Sequence, residues 1–242
     1  MPSTTKEFKL SLLENYPYDI ISSKGGKDIY LFFFKHASLG FLVDNFLVYL
    51  DPVESSADYS SLPQADLVLI THSHYDHLDI ETVKKLVKDS TVILADKTSS
   101  HMLSDVGFEP MLVKPSDKIS FDNHLDVEAV AAYNTSDAHT DFHPQQRGDC
   151  GYILTIDGAR IYLSGDGEPT EQMLSLKNID VAFLSVNQPY TMTVEQATQV
   201  VKTLHPTIFY PYHFGQVEKK TNIAQLCYNL QNDTEVRIRP LE

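Results

Sequence analysis

Cysteine is nearly absent. Cys150 and Cys227 are the only two in 242 residues. They form neither a C-x-x-C pair nor a disulfide framework, which argues against a cysteine-built zinc module and a disulfide-stapled scaffold. Buried free thiols in a reducing compartment are expected instead. Long apolar runs are missing too. The longest near the amino end, Ile29-Tyr30-Leu31-Phe32-Phe33-Phe34, is far too short to span a bilayer and reads as a buried strand. MPSTTKEFKL, at the start, holds no stretch of signal-peptide type, so the expectation is a cytoplasmic protein with no transmembrane segment. Basic charge is scarce: 19 Lys and Arg stand against 33 Asp and Glu, a formal net charge of -14. That field repels phosphate and disfavours sequence-independent binding to nucleic acid or anionic lipid. Bound divalent cations would reverse the sign locally, so an anionic substrate stays open. Linker-like composition, repeats and low-complexity tracts are lacking, and residues 1–242 are expected to form a single domain.

What the chain does have is histidine in one place. THSHYDHLD, Thr71 to Asp79, carries His72, His74, Asp76 and His77 within six residues. The run Leu67-Val68-Leu69-Ile70 leads into it. A helical pattern follows, with Ile80, Val83, Leu86 and Val87 on one face and Asp79 placed to cap it. In extended backbone, residues two apart point the same way, so His72 and His74 converge on one point. The turn then swings Asp76 and His77 toward a second point nearby. Two neighbouring metal ions suit this pattern better than one.

Strand-like runs cover residues 29–34, 39–43 and 46–50, the last two joined by an Asp44-Asn45 hairpin turn. Residues 1–28 are polar and weakly patterned. Further strands are expected at 91–94, 119–121, 125–133, 151–156, 160–163, 181–184, 207–210 and 235–239. Helices are expected at 98–105, 168–176 and 222–231, and another from Thr193, with Gln196 as its capping-box partner. Residues 106–116 look irregular, and residues 134–149 form a long polar loop with His139, His143 and Arg147. His72, Asp166 and His213 each follow the carboxyl end of a hydrophobic strand, where ligands gather in layered α/β proteins. Strands first, then strands with helices, repeated about twice, suit sheets sandwiched between helix layers.

These residues resemble the metallo-β-lactamase superfamily. THSHYDHLD is similar to its H-x-H-x-D-H signature. LVYLDP (47–52), FHP (142–144), YLSGDGE (162–168) and YPYHFG (210–215) resemble its other motifs, in order. KHASLGF, AAYN and PYTMT are similar to the metal-dependent hydrolase branch. That branch includes the ascorbate-6-phosphate lactonase type and, more distantly, the N-acyl-phosphatidylethanolamine phospholipase D type. The resemblance implies an α/β fold, a four-layer αββα sandwich with the site along one edge of the two sheets. It implies that His72, His74 and His143 bind a first metal, that Asp76, His77 and His213 bind a second, and that Asp166 bridges them. His143 is preferred over His139 because Phe142 and Pro144 reproduce the family context. Asp51 is expected to support and orient the metal loop, a plain turn carboxylate being the alternative. His36 either faces the site or is an ordinary structural histidine. His101, His124 and His205 are assigned to surface or packing roles. Two positions depart from the pattern. Gly167 follows Asp166 where relatives carry Thr or Ser, so a hydroxyl contact is missing or supplied elsewhere. Lys35 replaces a common glycine.

Imidazole and carboxylate ligands suit zinc and tolerate iron or manganese. Two such cations can hold a bridging water and lower its pKa from 15.7 to roughly 7. The expected activity is hydrolysis of a small ester, lactone or phosphodiester, with Asp76 orienting the hydroxide and accepting its proton. The expected partner is a small-molecule substrate, with Tyr133, Tyr190, His36 and Arg147 as candidate contacts. Antibiotic lactamase activity is not expected without an export signal, nor RNA processing without room for an inserted domain. The alternatives are a di-iron redox protein of the same fold, or a non-catalytic metal-binding or scaffold protein.

Overall fold

The computed structural model describes residues 5–122, 124–215 and 220–242. Two seven-stranded sheets carry the fold. The first holds β1 (Tyr18–Ser22), β2 (Asp28–Lys35), β3 (Ser38–Val43), β4 (Phe46–Leu50), β5 (Leu67–Ile70), β6 (Val92–Ala95) and β7 (Met111–Leu112), in chain order. The second runs from β8 (Lys118–Phe121) through β9 (Leu125–Ala131), β10 (Cys150–Ile156), β11 (Ala159–Leu163), β12 (Val181–Ser185) and β13 (Ile208–Tyr212) to β14 (Glu235–Val236). Helices α1 (Lys6–Leu13), α2 (Ile80–Leu86) and α3 (Lys97–Ser104) go with the first half of the chain. Helices α4 (Glu171–Ser175), α5 (Val194–Leu204) and α6 (Ile223–Leu230) go with the second.

Each sheet opens with antiparallel strands and closes with parallel ones. Strands β1 to β4 pair antiparallel, and β4 to β7 pair parallel. Strands β8 to β11 and β11 to β14 repeat that order. In consequence β2, β4 and β5 run one way in the first sheet, and β9, β11 and β13 share a direction in the second. The carboxyl ends of each set therefore share one sheet edge.

The apolar run of β2 is continuous because both its faces are covered. Leu31 and Phe33 belong to the large core, and Phe32 and Phe34 to a second cluster with Leu13, Val83, Leu86 and Leu103 from α1, α2 and α3. Between the sheets, Phe33 meets Tyr210 at 5.4 Å and Phe183 at 6.4 Å between ring centroids. Thr193 and Gln196 form the expected capping box on α5. Asp79 caps α2 by accepting from the Glu81 and Thr82 amides.

Several elements differ from expectation. The stretch 1–28 contains α1 and β1. Helix α1 buries Lys9, whose ammonium meets Asp66 at 2.7 Å and the Asn45 carbonyl at 2.6 Å, so a polar letter occupies a core position. Strand β1 is an edge with little burial and no apolar alternation. Strand β7 is a two-residue exposed edge inside the stretch read as irregular. Helix α4 starts at Glu171, not Glu168, because the Thr170 hydroxyl caps it and Glu168 binds another loop. Asn123, expected in the β8–β9 turn, lies outside the described residues. Of the two thiols, Cys150 is buried but Cys227 only half-buried. Among the described residues no helix is long and apolar enough to cross a membrane.

Candidate metal centre

The ligand-competent side chains sit where the topology brings strand ends together. His36 occupies the β2–β3 turn, and Asp51 follows β4. His72 to His77 follow β5, and His143 lies between β9 and β10. Asp166 follows β11, and His213 follows β13. His36, Asp51 and His213 all adopt positive φ, at 56°, 43° and 52°. Such backbone is costly for residues with a Cβ and is held here by the surrounding structure.

Three groups of potential ligand atoms lie within 4.8 Å of one another: His72, His74 and His143; His36, Asp76, His77 and His213; and His72, His77 and Asp166. The structure thus brings together all seven residues singled out in the sequence, and adds His36 to the second group. Its Nε2 is 3.0 Å from Asp76 Oδ2, and its ring centroid is 3.7 Å from that of His213. Asp166 Oδ2 lies 3.4 Å from His143 Nε2 of the first group. It lies 3.5 Å from His77 Nε2 and 3.1 Å from His213 Nε2 of the second. One carboxylate oxygen therefore reaches both groups.

The surrounding hydrogen bonds aim the rings. Asp51 is fully buried and accepts from the Thr71 amide at 2.8 Å, the Thr71 hydroxyl at 2.6 Å and His77 Nδ1 at 2.8 Å. The hydroxyl spends its proton on Asp51, so its lone pair accepts from His72 Nδ1 at 3.0 Å. His143 Nδ1 donates to the Tyr190 carbonyl at 3.2 Å. In His72, His77 and His143 the proton is thus held on Nδ1 and Nε2 is left facing the site, as an orienting partner does for a ligating histidine. His74 is held from the other side. Arg147 Nη1 donates to its Nε2 at 2.8 Å, and a guanidinium has no acceptor, so this ring is neutral. Burial and the Arg147 charge pull the His74 pKa down to about 4.

Whether a cation suits this set can be judged from the atoms left over. Among the described residues, His77 Nε2, His143 Nε2, both ring nitrogens of His213 and Asp166 Oδ1 are buried without a hydrogen-bond partner. Orphaned lone pairs of imidazole and carboxylate, gathered around one interior space, are what a divalent cation satisfies. The charges agree. Burial opposes ionisation of Asp166, but His213 and His77 hold its pKa well below the usual range. Burial also opposes ionisation of Asp76, and the His36 hydrogen bond and the charges of His77 and His213 outweigh it. His77 is the exception: burial works against its charge, yet Asp166 and Asp51 hold its pKa well above the usual value, so without a cation its ring keeps a second proton, on Nε2, that a cation would have to displace.

Other residues resolve differently. His139 sits 3.3 Å from Glu168 and outside the three ligand groups. Glu168 is buried and accepts from the Thr135 and Ser136 amides and the Ser136 hydroxyl, pinning the loop that carries His143. Arg147 is not free for substrate, because two further nitrogens grip Asp149. Tyr133 is absent from the cavity wall, while Tyr190 and His36 line it. Gly167 is demanded by crowding: a Cβ there would lie 2.7 Å from the Tyr133 amide nitrogen. Hydroxyls act on the residue before Asp166 and come from other positions than the one after it. Ser164 and Ser185 donate to the Gly165 carbonyl at 2.7 and 2.8 Å, and Gly165 N–H donates to the Tyr212 hydroxyl at 3.0 Å. His124 stacks on Phe46 at 4.8 Å, whereas His101 and His205 are exposed.

The site opens into a cavity of about 520 Å³. Comparison with known proteins now bears on it. The Beta-lactamase superfamily domain matches residues 30–213. A metal-dependent hydrolase of Pyrococcus furiosus is 30% identical over 190 residues, covering 76% of this chain and 80% of that protein. The crystal structure of a candidate metal-dependent hydrolase from Parabacteroides distasonis superposes with a TM-score of 0.87 at 41% identity, covering 94% of this chain and all of that one. Igni18, a metallo hydrolase from Ignicoccus hospitalis, shares the fold at a TM-score of 0.73 and 23% identity, covering 88% of this chain and 96% of that one.

Proposed function

The chain belongs to the metallo-β-lactamase superfamily, in its metal-dependent hydrolase branch, and from that premise we propose a dinuclear hydrolase of small esters, lactones or phosphodiesters. Zinc is the first choice of metal, with iron or manganese tolerated by the same donors. The observation that carries the reading is the position of Asp166 Oδ2, 3.4 Å from a nitrogen of one ligand group and 3.1 Å from a nitrogen of the other. His72, His74 and His143 would hold one cation, Asp76, His77 and His213 the other, and Asp166 would touch both.

Cations bound there supply positive charge for the oxygen that gains it, and make hydroxide available near neutral pH. The chain's own residues do the rest. Asp76 is ionised, partly exposed and on the cavity wall, so its carboxylate can orient the attacking water and accept its proton. His36 faces the same carboxylate and fixes its direction. Asp51 and Thr71 hold His72 and His77 in the tautomer that keeps Nε2 available. The free thiols, one deeply buried, suit action in a reducing cytoplasm.

Metal analysis tests the reading directly. Protein stripped by a chelator and dialysed against buffered zinc should retain two equivalents, and Asp166→Asn fewer. The loaded enzyme should turn over at least one of a lactone, a p-nitrophenyl ester and a phosphodiester. A single equivalent at saturating zinc defeats the dinuclear assignment. Two equivalents without turnover of any class favours a metal-binding scaffold.

A further inference from the structure

The cavity wall beyond the metal groups has a chemistry of its own. Asn187 lies two residues past β12, is 5% exposed and lines the cavity. Its backbone is already committed. Its N–H donates to the Thr191 hydroxyl at 2.6 Å, and its carbonyl accepts from the Tyr190 and Thr191 amides, both at 2.9 Å. Its side-chain Oδ1 is buried with no partner. That oxygen is sealed from solvent and out of a ligand's reach, whereas the amide's Nδ2 is not sealed and makes no hydrogen bond among the described residues, so it is the atom that can donate to a ligand acceptor.

Next to it stands an aromatic pair. Phe142 and Tyr190 meet edge to face, with centroids 4.8 Å apart and planes at 66°. Tyr75, between His74 and Asp76 in the metal turn, is 88% exposed and also lines the cavity. A large ring left in water at the mouth of a cavity is suited to grip an apolar or aromatic group. Among the described lining residues outside the metal groups, Asp141, exposed and acidic, is the one charged residue, and none is Lys or Arg.

We infer that this wall is a substrate subsite for an uncharged ester or lactone whose arm carries an aromatic or apolar group and a hydrogen-bond acceptor that pairs with Asn187. It rests on the hydrolase reading above and narrows it, disfavouring substrates with an anionic arm. The arm's acceptor takes a hydrogen bond from Nδ2 of Asn187, the ring packs on Phe142, Tyr190 and Tyr75, and Asp141 repels carboxylate or phosphate at the entrance.

The test uses zinc-loaded protein with metal content verified. Three p-nitrophenyl esters share a leaving group: N-acetylphenylalaninate, which has the ring and an amide carbonyl as acceptor; phenylacetate, which has only the ring; and hemisuccinate, which has an anionic arm. The first should exceed the hemisuccinate in kcat/KM at least about tenfold. Asn187→Leu should raise KM for the N-acetylphenylalaninate about tenfold and leave that for phenylacetate within about twofold. Asp141→Asn changes an exposed residue and should bring the hemisuccinate several-fold closer to the neutral esters. The inference is overturned if the anionic ester is as good a substrate as the neutral ones, or if Asn187→Leu affects both neutral esters alike. Should none of the esters turn over, the hydrolase reading is what fails, and calorimetry with N-acetylphenylalaninamide tests the subsite separately. Binding at least about tenfold weaker in Asn187→Leu supports the subsite; equal binding, or none to either protein, overturns it.

Discussion

Asp51→Asn is the sharpest perturbation of the centre, because it changes one atom of a residue that is not itself among the proposed ligands. In the native arrangement the two carboxylate oxygens accept three hydrogen bonds, from Thr71 N at 2.8 Å, Thr71 Oγ1 at 2.6 Å and His77 Nδ1 at 2.8 Å. An asparagine can keep its oxygen on the Thr71 amide, which leaves an NH2 group facing both the hydroxyl and the imidazole. That NH2 group donates where the carboxylate accepted. His77 must then accept at Nδ1 and carry its proton on Nε2, the nitrogen 3.5 Å from Asp166. The Thr71 hydroxyl, freed from Asp51, can donate to His72 Nδ1 and reverse that ring as well. Residues that orient metal ligands typically carry about 10- to 100-fold in affinity, or about 1.4–2.7 kcal/mol per cation. Because one substitution disturbs one histidine of each group, both cations should weaken. The assay is zinc retention against a competing chelator, with circular dichroism to verify the fold and nitrogen NMR shifts to read the tautomers of His72 and His77. Two tightly held equivalents with unchanged tautomers would refute the reasoning, and loss of one equivalent alone would refute the link through Thr71.

His36→Gln should speed the release of one of two zinc equivalents about 10-fold or more, read with a chromophoric chelator, because His36 contacts Asp76 within the second group; unchanged release would reduce His36 to packing. Gly167→Ser restores the hydroxyl side chain common in relatives but drives a Cβ toward the Tyr133 backbone, so urea unfolding should show a loss of about 1–3 kcal/mol, the usual cost of overpacking. Asp19→Asn removes the carboxylate that joins β1 to Tyr210, Arg237 and Arg239. Burial raises the Asp19 pKa, but Arg239 and Tyr210 hold it below the ordinary value. Its contribution is therefore present above the unfolded carboxylate pKa of about 3.9 and is lost as pH falls through the folded value. Melting temperatures of wild type and variant should differ at pH 7 and converge in acid; a constant gap would show that charge plays no part.

Much of this was legible in the letters, for a physical reason. The turn at His72 is local, so strand period and spacing alone could place His72 and His74 on one side and Asp76 and His77 on the other. His143, Asp166 and His213 come from motif context, since nothing in spacing joins them to a turn more than 60 residues earlier. His36 was left open because a single histidine in a hairpin carries no period; its role appears only when β2 and β13 bring it to His213. A loop arginine looks free for substrate in the sequence, whereas Arg147 is held by Asp149 and His74. Glu168 was read into a helix because its neighbours form one, while its carboxylate answers two amides from a loop more than 30 residues earlier. Helix α1 was hidden by Lys9, whose burial depends on an Asp66 that no local window includes.

The same leftover atoms that define the centre also link it to stability. Each unpartnered buried group among His77, His143, His213 and Asp166 costs the metal-free fold about 1–3 kcal/mol, more where the group is charged. His77 compensates in part by keeping a proton between Asp51 and Asp166, with its pKa held high against burial. A cation entering there must displace that proton, so binding and proton release are coupled, and affinity rises with pH. Free cation at about 1,000 times its dissociation constant stabilises the native state by about 4.1 kcal/mol per site. That is a large share of the roughly 5–15 kcal/mol typical of a folded domain. On the dinuclear reading, the ligand turns after β5, β11 and β13 are under-bonded without metal and would be better tied with it. The rigid sheets exist before binding, because their cores of Phe33, Phe183 and Tyr210 do not depend on the centre. A metal bound there would stiffen an edge that the two sheets have already brought together.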